Sequence, residues 1–288
     1  MSREFVTFIF QAVSWKVEHA IGVLRQCFLL LIPMREFFYR LVSSKKMTHI
    51  NDAIRELRLS ARPVFLATGN AEYPYYGVGS CFLVERRKRW YVVTARHVVK
   101  DMESVHDMVI YPSEDSDGPL PFLLGKSVKL PYTDDDACAD IVVIEIDRNF
   151  LSETESERTH VLNLDKISDQ WMEMPKSLYY VVFGYLNESR HIDFEDSEIY
   201  ALQQSIVGDI SKEAISTQCF VLEIIDSNGC KDYNGLSGSP VFAWSKGPNA
   251  QFYPYFCGMA LRGSFKNSTL EFVDSFFVNR VIDEANAS

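Results

Sequence analysis

Residues 77–95 read GVGSCFLVERRKRWYVVTA. Two β-branched and aromatic runs, GVGSCFLVE and RWYVVTA, flank a basic tetrad, Arg86-Arg87-Lys88-Arg89. Runs this short and rich in β-branched and aromatic residues read as strands, since such residues fit a pleated, half-buried surface. Four adjacent cations belong in water. The stretch therefore predicts a β-hairpin with a solvated basic tip. Alone, the tetrad also has the composition of a nucleic-acid patch. The net charge of −10 argues against that partner, because phosphate binding needs clustered Lys and Arg.

Working outward, similar runs recur, bounded by Gly, Pro, Asn and Asp. They are RPVFLATG (62–69), IVVIEID (141–147), LYYVVFGYL (178–186), QCFVLEII (218–225), SPVFAW (239–244) and YPYFCGMAL (253–261). Many short strands with turn signals predict a sandwich or barrel from about residue 61 onward. Leu270–Val273 reads as extended. Asp274 or Ser275 can cap a last helix with Phe277, Val281 and Ile282 facing inward. The acidic stretches Glu114–Asp117 and Asp134–Asp136 read as loops without calcium-loop spacing.

Residues 1–58 have a different texture. Val6, Phe10, Val13, Val17, Ile21, Leu24, Phe28 and Leu31 recur in steps of three and four, one stripe of a long helix. Pro33 ends or kinks it, and Met34, Phe37, Phe38, Leu41 and Val42 repeat the spacing. Thr48 can cap a third helix with Ile50, Ala53, Ile54 and Leu57 on one side. The expected division is a helical extension over 1–58 and a β-rich domain over 59–288. The extension is cationic: the first 60 residues hold nine Lys and Arg against five Asp and Glu, leaving −14 on the other 228. Its apolar surface must be covered by its own domain, a protein partner or a membrane surface.

The uncharged runs Phe5–Trp15 and Gln26–Met34 fall short of the roughly 20 residues that cross a bilayer. Glu4, Gln11 and the missing cleavage site make Phe5–Trp15 a poor signal peptide. Six cysteines, Cys27, Cys81, Cys138, Cys219, Cys230 and Cys257, form no C-x-x-C pair and no metal-ligand spacing. The expectation is a cytoplasmic protein with buried thiols, no metal and no cofactor.

Three segments carry chemistry. YVVTARHVV puts His97 directly after a strand, ADIVVIEI puts Asp140 at the start of another, and NGLSGSPVF (234–242) sets Ser237 in a glycine bend before a third. Asp140 follows His97 by 43 residues, and Ser237 follows Asp140 by 97. The chain resembles the trypsin-like (chymotrypsin-fold) serine peptidases, and within them the disulfide-free bacterial domains. That family's T-A-x-H, D-I-x-[VL] and G-x-S-G-x-P motifs map onto Thr94–His97, Asp140–Val143 and Gly235–Pro240, over roughly residues 61–286. Each motif is weak alone; three in the family order make a strong signal.

The resemblance implies a mainly β fold, a double antiparallel β-barrel, here with an N-terminal helical extension and a short C-terminal helix. It implies a serine endopeptidase acting on a protein or peptide through an acyl-enzyme on Ser237. His97 would be general base and acid, and Asp140 the carboxylate that orients it. The backbone N–H groups of Gly235 and Ser237 would receive the developing oxyanion. Asp136 is the rival acid and Ser239 a rival nucleophile in type only. His19, His49, His106, His160 and His191 lack comparable context.

The departures are informative. Val98 and Tyr233 stand where secreted relatives carry disulfide cysteines, and Leu236 where digestive relatives carry an aspartate that pairs with a freshly cut N-terminus. The family's first pocket would fall on Lys231 and on Leu261-Arg262-Gly263. Lys231 favours an acidic side chain and neighbouring Asp232 a basic one, so the preference stays open. The 51 residues after Ser237 leave no room for an appended peptide-binding domain. The competing expectation is a latent module that binds protein and is switched by the N-terminal helices.

Overall fold

In a computed structural model, the described residues are 47–102, 104, 107–110, 124–129, 140–151, 159–173, 177–194, 198–211, 218–246 and 252–287. The two helices expected before residue 47, both acidic stretches, Asp136, Cys27, Cys138, His19 and His106 lie outside them. The chain divides into units Met1–Ile50 and Asn51–Ser288, and nearly all described residues belong to the second. Helix α1 (Met47–Ser60) is the third of the expected N-terminal helices.

The quoted hairpin lies at the centre of the first sheet. β2 (Tyr75–Arg86) pairs antiparallel with β3 (Arg89–Ala95), Arg86 opposite Arg89. Arg87 and Lys88 take φ of 51° and 66°, the paired left-handed conformations that match a two-residue turn to strand twist. The tip is not simply solvated as expected. Arg89 grips Glu145 through two nitrogens, at 2.8 and 2.6 Å, and reaches the Asn286 carbonyl at 3.1 Å. Arg86 lies 3.4 Å from Asp283 and 3.5 Å from Asp165. Arg86, Arg87 and Arg89 thus fasten the end of the last helix, where a cation is favoured by the exposed carbonyls.

β1 (Ala61–Ala67), β4 (Met108–Val109), β5 (Leu124–Lys129) and β6 (Ile141–Ile146) extend the sheet in the order β4-β1-β2-β3-β6-β5. The short β7 (Leu162–Asn163) adds in parallel to β2. The second sheet is a closed antiparallel barrel, β10-β13-β12-β11-β8-β9. Its strands are β8 (Ser177–Asp193), β9 (Glu198–Ile210), β10 (Cys219–Asp226), β11 (Pro240–Lys246), β12 (Phe252–Ser264) and β13 (Thr269–Asp274). Among the described residues the fold is mainly β with two α-helices. Of the two barrels expected, one closes; the first sheet runs as an open path, since β4 and β5 do not pair among the described residues.

A file of phenylalanines joins the sheets. Phe82 of β2 lies 5.6 Å from Phe256 of β12, which is 6.0 Å from Phe242, itself 6.1 Å from Phe183. All four are buried, each contributing about 1.5–3 kcal/mol by leaving water. Inside the barrel Trp171, Val182, Leu222, Leu236, Ala260 and Phe272 form one cluster, so the residue before Ser237 is itself a core anchor. Helix α2 (Ser275–Ala287) packs on β5 and β6 and on β12 and β13. Asp274 is its cap, accepting from Phe276 N–H at 2.6 Å. Val278, Val281, Ile282 and Ala285 form the buried face, and the expected Phe277 is only half-buried.

Candidate functional site

β3 ends at Ala95, and one 3₁₀ turn, Arg96–Val99, follows, anchored by buried Val98 and Val99. In the β3–β6 ladder Ala95 stands opposite Ile141, so the residues just beyond, on one strand's exit and the other's entry, must meet. They are His97 and Asp140. His97 Nδ1 lies 2.7 Å from Asp140 Oδ2, and His97 N–H donates to Oδ1 at 3.0 Å. A carboxylate only accepts, so Nδ1 carries the proton and Nε2 is left as a base. The imidazole is about half exposed and Asp140 largely covered.

Ser237 enters from the barrel. The loop before β11 is held by its carbonyls. Asn187 N–H donates to Asn234 O at 2.8 Å, Ser80 Oγ to Gly235 O at 2.7 Å, Ser239 N–H to Leu236 O at 2.9 Å, and Ser80 N–H to Ser237 O at 2.9 Å. The N–H groups of Leu236, Gly238 and Ser239 are spent on Tyr233, Ala260 and Leu236 carbonyls. Among the described residues, Gly235 N–H and Ser237 N–H have no partner. Gly235 reaches this arrangement at φ +100°, where any side chain would be strained.

The same loop lies beside the strand that delivers His97. Ser80 of β2 also accepts from Tyr185 N–H, and its carbonyl accepts from Thr94 Oγ1, three residues before His97. The Ser237 hydroxyl is turned toward β12, donating to Leu261 O at 2.6 Å. That carbonyl is available because the β12–β13 register shifts between Ala260 and Arg262.

The pocket candidates separate on inspection. Leu261 is buried in β12, whereas Arg262, Gly263 and Lys231 are exposed. Arg262 Nε lies 3.6 Å from Glu271, and Lys231 N–H donates to Glu188 at 3.0 Å. Both oxygens of Asp232 are engaged by Asn234, through its N–H and its amide nitrogen. Ser239, the rival nucleophile, is wholly buried, its hydroxyl facing Gly184. His160 lies 3.4 Å from Glu56, and His191 stands opposite Tyr200 on the outer part of the β8–β9 hairpin.

Burial raises the thiols of Cys81 and Cys230 to about 12 and pushes that of Cys257 well above the ordinary thiol value, so none of the three offers a thiolate at neutral pH. Among the described residues no three His, Cys, Asp or Glu side chains gather as a metal would need, and no helix is long and apolar enough to cross a membrane. Sequence reading overlooked Ser80, Asn187 and Arg190, which hold the Ser237 loop. Their signal lies in tertiary contact alone, since each sits in a strand or bulge far along the chain from the residue it supports. No protein family model matches the chain, and no curated protein matches it.

Proposed function

We propose that the chain is a serine endopeptidase of the trypsin-like kind, cleaving a protein or peptide through an acyl-enzyme on Ser237. The observation that carries this reading is the alternation in the loop before β11. Carbonyls 234 to 237 are all held, and the N–H groups of Gly235 and Ser237 alone are left to serve an oxyanion. The His97–Asp140 pair adds a base with the right nitrogen facing outward.

In the reaction Ser237 Oγ leaves Leu261 O, gives its proton to His97 Nε2 and bonds to the substrate carbonyl carbon. His97 returns that proton to the leaving amine as the C–N bond breaks, and water, activated the same way, releases the acid. The two free N–H groups are worth about 2.7–4 kcal/mol each to the transition state.

A second reading draws on the Ser237–Leu261 bond: a latent module of the same fold, its hydroxyl parked, that binds protein. A fluorophosphonate probe separates the two. Mass spectrometry finding the adduct on Ser237, and none on Ser237→Ala, supports the peptidase. A folded wild-type chain that stays unlabelled supports the latent module.

A further inference from the structure

Arg190 carries a charge into the interior beside this loop and meets no carboxylate there among the described residues. Burial lowers its pKa to about 10, which still leaves the guanidinium charged at neutral pH. One nitrogen, Nη2, donates to Tyr185 O at 2.5 Å, to Gly79 O at 2.6 Å and to Gly235 O at 3.3 Å. It therefore ties β8, β2 and the Ser237 loop at a single point. Its Nε and Nη1 are buried without partners. The stem passes where Gly77 has no side chain; a β-carbon there would lie 2.9 Å from Arg190 Cδ.

A buried cation without a counter-ion is a poor way to hold a fold together, since its desolvation costs more than neutral bonds return. What it touches gives it a different use. Gly235 must keep φ +100°, and the side chain of its neighbour Leu236 has no polar group with which to fix the loop. The β8–β9 register is irregular between Tyr185 and Arg190, and from that bulge Asn187 N–H holds Asn234 O while Arg190 holds Gly235 O.

We propose that Arg190 is a positioning residue that fixes the Gly235 peptide from within, so that the oxyanion-binding loop takes its working shape without any cut in the chain. This rests on the peptidase reading of the same site.

The test uses the full chain and three variants: Arg190→Met, Arg190→Lys and Gly77→Ala, the last displacing the guanidinium while keeping its charge. Three quantities are read: the fluorophosphonate rate at Ser237, amide hydrogen exchange across residues 231–240, and the thermal midpoint. The expected result for Arg190→Met is labelling slowed about 10- to 100-fold, the range seen when supporting groups around a site are lost. Exchange in that stretch should speed up, with a midpoint within about 5 °C of wild type. Gly77→Ala should move labelling and exchange the same way, and Arg190→Lys less. Unchanged labelling and exchange in a folded Arg190→Met overturns the proposal. If that variant does not fold, Gly77→Ala decides on the same criteria. A wild type that is not labelled refutes the peptidase reading alone. Exchange then judges Arg190 by itself: faster in the variants supports it, and no change overturns it.

Discussion

Gly238 fits so tightly against Ser80 that a β-carbon on it would stand 2.0 Å from the Ser80 carbonyl oxygen, and 2.6 Å from Thr94 Oγ1. The loop carrying Ser237 is thus seated on the two strands that lead to His97, with no room for a methyl group. Gly238 also holds φ +87°. Gly69 has a similar φ, +72°, but nothing within 4 Å of where its β-carbon would be. Gly69→Ala is expected to cost about 1–2 kcal/mol, the conformational term alone. Gly238→Ala should cost that plus about 1–3 kcal/mol of overpacking, and should abolish Ser237 labelling. Urea unfolding of the two variants isolates the packing term; equal costs would mean the loop is not seated as described.

Asp140 holds His97 at two atoms, and an asparagine can satisfy only one of them in the same way. Asp140→Asn keeps an oxygen for the backbone N–H but presents an amide to Nδ1, favouring the tautomer that leaves Nε2 protonated. The expected loss is about 10⁴ in rate at an otherwise intact site. Stability should change little, because the imidazole is half exposed. A labelling rate within tenfold of wild type would remove His97 from the role of base.

How far the sequence speaks can be judged on particular residues. β2, β3 and β6 were legible because their runs are apolar on both faces, and the register that joins His97 to Asp140 follows from two strand ends. β9 was missed: Gln203, Gln204 and Ser205 interrupt its apolar run, and its outer half pairs with β8 where both strands are partly exposed. A polar strand stabilised by its partner's ladder leaves little local pattern. The loop's glycines were readable as turn residues, whereas Ser80, Asn187 and Arg190 could not be, since nothing nearby in sequence marks a residue that supports another 45 to 155 positions away.

Tyr233 joins the Ser237 loop to the turn between β12 and β13. Its ring packs edge-on against Phe265 at 5.5 Å, and its side chain fills the space beside Gly263, 2.6 Å from where a β-carbon would be. The turn between β12 and β13 is thereby held to the Ser237 loop without sulfur. Tyr233→Ala is expected to cost about 3–5 kcal/mol, as for other aromatic truncations in a core. Tyr233→Phe should cost much less. Chemical denaturation measures both, and a near-neutral Tyr233→Ala would show the aromatic contact to be incidental.

The thiols give a cleaner discrimination of chemistry. Cys81, Cys219, Cys230 and Cys257 are buried and joined in no disulfide among the described residues, and burial drives the Cys81 and Cys230 thiols to about 12. Iodoacetamide at pH 8 should leave all four unmodified in the native protein and should not slow fluorophosphonate labelling. Peptide mapping checks the first, and the labelling rate the second. Rapid alkylation of Cys81 or Cys257 would mean that the sheets open far more readily than their packing implies.

Asp274 gives the stability curve its pH dependence in this part of the fold. Burial raises its pKa above the usual carboxylate value, with Asp169 adding to the shift and the Phe276 N–H bond opposing it. A carboxyl whose folded pKa is raised binds its proton more tightly in the native state. Its stabilising contribution is complete below the unfolded value, about 3.9, and is lost as pH rises through the folded value. Asparagine keeps an oxygen for Phe276 N–H and cannot ionise. Asp274→Asn should therefore flatten the stability profile and gain on wild type as pH goes from 4 to 8. Asp274→Ala, which cannot ionise either but removes the helix cap, should lie about 1 kcal/mol below Asp274→Asn at every pH. Urea midpoints for the three proteins across that range decide it: an Asp274→Asn curve parallel to wild type would mean that the buried carboxyl titrates no differently from an exposed one.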